Sequence, residues 1–150
     1  MINLRNHAIS LYIALLFFAI TPAMGAELKP WNASDALQLS DELYSAARRL
    51  NIECRTSPPN YLDQEGASGH TVFRYHVRHF MDVVRDLSRA LEDGKSQAET
   101  QPIYNTSVAI IDDLKVYAVD NPRGAWPIVT NAVLKAEGIL AHLGAYYAQH

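Results

Sequence analysis

Cysteine is almost missing from this chain. Its 150 residues hold only Cys54, so no internal disulfide can form and no C-x-x-C pair exists to clamp a metal or attach a haem. Gly and Pro number seven each, too few for a collagen-like or Pro/Gly-rich chain. Positive charge is in deficit, with 13 Lys and Arg against 16 Asp and Glu. That balance argues against nucleic acid, whose binders carry a basic patch and a high pI. Alternation with period two is missing over any useful length, and with it the signature of a half-buried sheet. A Gly-rich phosphate loop, a G-x-S-x-G elbow and an H-E-x-x-H pair are all lacking, as are the paired Glu-x-x-His motifs of di-iron bundles. No nucleophile–base pair points to a hydrolase, and the chain reads as a non-enzyme. What is present is apolar residues at 49%, enough to close one core and too many for disorder to be the main state.

Residues 1–26 read as a secretory signal peptide. Arg5 makes the start positive, Ile9 to Ile20 is nearly unbroken apolar sequence, and Ala23-Met24-Gly25-Ala26 supplies small residues for cleavage after Gly25 or Ala26. The apolar run, of about 12 residues, falls short of the ~20 that span a bilayer. The expected product, residues 27–150, is a single exported domain, periplasmic or secreted, with no stable membrane insertion. Without Arg5 it keeps 12 basic and 16 acidic residues, a net charge of −4. In an oxidising compartment a lone Cys54 is a buried small hydrophobe, half of an intermolecular bridge, or a reactive thiol.

The domain reads as four helices. The first is expected from Ser34 to Cys54, capped from Asn32 to Asp35, with Leu39 (or Ala36), Leu43, Ala46/Ala47, Leu50 and Cys54 inward. Pro58-Pro59 ends it. The second, from His70 to Asp93, has a heptad-like stripe of Phe73, Val77, Phe80, Val84, Leu87 and Leu91, and Gly94 stands where a C′ residue belongs. Pro102, read as a first-turn proline, opens the third, with Ile103, Ser107, Ile110/Ile111, Leu114 and Tyr117/Ala118 inward until Asn121-Pro122. The fourth begins at Trp126-Pro127 and carries Val129, Ala132/Val133, Ala136, Ile139, Leu143 and Tyr146. Short connections and one longer loop favour an all-α, antiparallel up-down-up-down bundle.

Three groups of side chains could carry function. His76 and His79 lie three residues apart, and the proposed topology brings Asp113, Glu53 and Cys54 to the same end. Such a set can bind zinc or copper; the alternative is a plain His76–Asp113 hydrogen bond or ion pair with His79 exposed. On the second helix, Arg74, Arg78, Asp82, Arg85, Asp86 and Arg89 read as a solvated, salt-bridged face, with an anion-binding arginine patch as the other reading. Tyr44, Phe73, Phe80, Tyr117, Tyr146 and Tyr147 are core or the lining of a pocket between helices. Trp31 and Trp126 precede helices and are expected to plug their ends.

An exported four-helix bundle of this size resembles the cytochrome c′ family and its haem b-binding periplasmic relatives. That family carries C-x-x-C-H near its C-terminus, where two thiols attach haem and the His is the axial ligand. Gly138-Ile139-Leu140-Ala141-His142 lies in that register, with Gly138 and Ala141 in place of the cysteines. The resemblance therefore implies no covalent haem, and carries over His142 alone as a ligand. A bis-histidine site with His76 is disfavoured, since the two fall about 15 Å apart along the bundle axis. The sequence thus points to a binding or accessory protein without a cofactor, whose partner is a protein or small molecule, a homodimer being compatible. A carrier of a transition metal or non-covalent haem is the alternative.

Overall fold

A computed structural model describes residues 28–57, 64–119 and 126–147. The expected signal segment lies outside them. Among the described residues the regular structure is all helix: α1 (Ala33–Thr56), α2 (Gln64–Glu92), α3 (Gln97–Ala118) and α4 (Pro127–Tyr147).

Local chemistry explains the helix ends. Asn32 caps α1, its side-chain oxygen accepting from the amides of Ser34 (3.0 Å) and Asp35 (3.3 Å). At the end of α2, Gly94 adopts φ +77°, and the amides of Gly94 and Lys95 donate back to the carbonyls of Leu91 and Ala90, each at 3.0 Å. This is a Schellman motif, and it needs a residue that tolerates the left-handed conformation. Only two residues later, Ser96 and Glu99 form a reciprocal capping box that starts α3. The expected start at Pro102 is therefore corrected: the cap, Ser96, lies six residues upstream and Pro102 lies inside the helix. The second helix likewise begins at Gln64, earlier than His70.

Each helix packs on its neighbours in sequence, and α1 also packs on α4. The stripe of α2 is buried throughout, from Phe73 to Leu91, and meets Ala36, Leu43, Ala47 and Leu50 of α1, Ile110, Ile111 and Leu114 of α3, and Val129, Val133, Ala136 and Leu143 of α4. One detail differs from the sequence pattern: Leu140, not Ile139, occupies the α4 core. Where the pattern left two choices, Ala36 rather than Leu39 is buried on α1, and Ala118 faces inward while Tyr117 is 39% exposed. Buried Ser40 and Ser107 are satisfied within their own helices, donating to the carbonyls of Leu37 (2.7 Å) and Ile103 (3.0 Å), whereas buried Ser88 of α2 donates across to Asp41 of α1 (2.5 Å).

Long-range hydrogen bonds tie the ends of the helices together. The Tyr146 hydroxyl at the end of α4 donates to Asp35 at the start of α1 (2.8 Å), and Trp126 before α4 donates its indole N–H to the Ser57 carbonyl after α1. The Thr130 hydroxyl of α4 donates to the Ala118 carbonyl at the end of α3 (2.6 Å). Among the described residues no helix is long and apolar enough to cross a membrane.

Candidate functional site

The seam between α1 and α4 opens into two clefts that share Gln38. One, of about 720 Å³, has Leu37, Ala46 and Ile139 as apolar wall and Asp41, Glu42, Arg49 and Lys135 among its polar lining. The other, of about 410 Å³, is lined by Lys29, Asp35, Leu39, His142 and Tyr146. Together they form a groove that alternates apolar floor with charges of both signs.

Beside the end of the groove lies an aromatic cluster. Tyr147 stacks on Tyr104 (centroids 4.4 Å apart, planes 11°) and meets Trp31 edge-on at 5.3 Å. Its hydroxyl donates to Thr100 (2.7 Å), whose own hydroxyl lies 2.9 Å from the Ser96 carbonyl. Burial pushes the Tyr104 and Tyr147 phenols above their ordinary values. The hydrogen bond to Asp35 does the same for Tyr146, since a phenol donating to a carboxylate holds its proton more tightly. Tyr146 and Tyr147 are donors, Tyr104 is a packing surface, and all three are poorly suited to act as bases. The last carbonyls of α4 are also occupied: Ala145 accepts from the Lys29 amide (2.9 Å) and Tyr146 from the Gln97 side chain (2.8 Å). Lys29 places its ammonium 5.5 Å from the Tyr146 ring centroid.

His142 belongs to this groove. It is exposed on the outer side of α4, as are Gly138 and Ala141, so the three positions of the C-x-x-C-H register face away from the core. Haem in a bundle lies among core side chains, whereas His142 lines an open cleft beside Lys29 and Asp35. These residues do not fit a haem pocket.

At the opposite end, rings form a connected string. Trp126 lies 5.4 Å from His70 and 5.5 Å from Phe73; Phe73 is 6.2 Å from Tyr117, and Tyr117 is 6.1 Å from His76. Tyr75 then links His76 (5.9 Å) to His79 (6.3 Å, near parallel). His76 is half-buried, His79 and Asp113 are exposed, and Glu53 pairs with Arg49. Cys54 is 1% exposed and free, its thiol pushed up to about 11 by burial, which the nearby Arg74 only partly offsets. Among the described residues no three His, Cys, Asp or Glu converge on a point where a metal could sit.

The sequence reading found His142 but not the surroundings it shares. Asp35–Tyr146 and Thr100–Tyr147 join residues 111 and 47 apart, pairs that no local spacing announces. The consecutive Tyr146-Tyr147 at the end of the fourth helix was the available signal. Comparison with known proteins finds no matching family model, curated protein or solved structure.

Proposed function

We propose that this chain is an exported, non-enzymatic binding or accessory protein, built as an antiparallel up-down-up-down four-helix bundle. The topology is supported by the bonds from Asp35 to Tyr146, from Ser57 to Trp126 and from Ala118 to Thr130, each linking the start of one helix with the end of another. Export is supported by the charged start, short apolar run and small residues before Glu27.

The observation that carries the binding role is the α1–α4 groove. Ligand sites in bundles lie between helices and combine apolar walls with a few fixed polar groups. Leu37, Leu39 and Ile139 supply the walls, while Asp35, Tyr146 and Lys29 are held in place by their mutual contacts. The occupant is a small molecule or a short partner segment carrying both apolar and polar groups. Thermal-shift screening of small molecules tests this on wild type and on Gln38→Trp, which fills the shared part of the groove. Ligands that raise the melting temperature of wild type should lose that effect in the variant. Equal stabilisation of both proteins would remove the groove from consideration.

A further inference from the structure

A third cleft, of about 640 Å³, lies between the end of α1 and the middle turns of α2, away from the α1–α4 groove. Asn51 and Arg55 line it from α1, and Thr71, Arg74, Tyr75, Arg78 and Met81 from α2. Three guanidinium groups thus share one cleft, and among the described residues no Asp or Glu lines it. Four cations elsewhere on the surface are ion-paired. Arg49 pairs with Glu53, Arg85 with Asp82 and Asp86, Lys95 with Glu99, and Lys115 with Glu137. Arg55, Arg74 and Arg78 have no ion-pair partner among the described residues, in a chain where acids outnumber bases.

Like charges one helical turn apart repel, as Arg74 and Arg78 must. Gathering a third beside them raises the local potential further, and a bound anion relieves it. Arginine's planar fork matches oxyanions in bidentate fashion. The Asn51 amide and the Tyr75 hydroxyl are further donors at the lining, and Tyr75 is 68% exposed with its ring stacked near His79. A carboxylate would leave two of the three positive charges uncompensated. We propose that this cleft binds a phosphate group carrying two or more negative charges. The inference deepens the binding role proposed above by naming a second site and its ligand class, and it does not depend on occupancy of the α1–α4 groove.

Such a phosphate can belong to a soluble phosphate ester or to a phosphomonoester lipid headgroup. Calorimetric titration of the protein with inorganic phosphate and pyrophosphate, at constant ionic strength and with acetate as control, tests the shared chemistry. Both phosphates should bind more tightly than acetate. Arg74→Gln and Arg78→Gln should each weaken binding about tenfold, the scale of one charge-assisted contact. Arg89→Gln, on the same helix but outside the cleft, should change nothing. Because Arg74 and Arg78 are exposed, both variants should keep the wild-type circular dichroism and melting temperature. Vesicles of phosphatidylcholine with and without phosphatidic acid separate the sources: retention on phosphatidic acid that pyrophosphate reverses assigns the lipid, and phosphate binding without retention assigns a soluble ester. Pyrophosphate binding no tighter than acetate, or unchanged in the Arg74 and Arg78 variants, would overturn the proposal and leave the groove reading standing.

Discussion

Phe80 is fully buried at the middle of the α2 stripe, in the core shared by the four helices. Truncating a ring in such a place removes its burial and leaves a cavity, so Phe80→Ala should cost about 3–5 kcal/mol. In a domain of this size that lowers the melting temperature by roughly ten degrees or more. Calorimetry checks it, and a melting temperature within a degree or two of wild type would contradict this packing. Residues of this kind were readable, because a heptad-like spacing of apolar side chains has one economical explanation. Tyr147 was harder to place, since its value lies in a stack on Tyr104 and a bond to Thr100 that only the folded chain assembles. The histidines give a second test at the same scale. Protein purified from the exported fraction should show no Soret band and no stoichiometric metal. Should a metal be present, loss on His76→Ala but not on His142→Ala would place it at the ring-string end, and the reverse result would favour the cytochrome-like reading.

Between single residues and the whole lies the tight junction of α2 and α3. Gly94 ends one helix in the left-handed region and Ser96 starts the next, leaving no slack in the chain. Gly94→Ala should destabilise by about 1 kcal/mol although nothing lies within 4 Å of the added carbon, because the cost is conformational. Ser96→Ala should cost about as much, the ordinary value of a helix cap. Acid should mimic the second change. Backbone and side-chain hydrogen bonds from Ser96, with Lys95 beside it, hold the Glu99 carboxyl at about 2, below its ordinary value. Its contribution is therefore complete above the unfolded pKa of about 4.3, falls as the pH drops below that, and is gone beneath the folded value. Acid unfolding of wild type and Ser96→Ala should converge over this window; parallel curves would show that the box does not form. This junction also marks where the sequence reading slipped. Pro102 reads as the start of the third helix, and Ser96-x-x-Glu99 is passed over. The box prevails since it satisfies two backbone donors, whereas the proline merely forgoes one bond inside the helix.

For the entire molecule, the helix count, the segregation of apolar stripes and the Gly94 stop were legible from spacing alone. The grooves were not, because they arise where helix faces from distant segments diverge. Export has its own check. N-terminal sequencing of protein recovered outside the cytoplasm should begin at Ala26 or Glu27, and a full-length chain in the membrane fraction would refute the signal reading. The hydrogen bond from the Lys29 amide to the Ala145 carbonyl brings the two ends of the helical body together. A chain whose ends touch is nearly a ring, and a ring can be cut elsewhere. Joining residues 147 and 28 through a few glycines, and opening the chain between Asp93 and Lys95, would rewrite the order as α3-α4-α1-α2. Such a circular permutant keeps every interhelical surface and forfeits little beyond the Schellman bonds, so it should fold to the same circular dichroism spectrum.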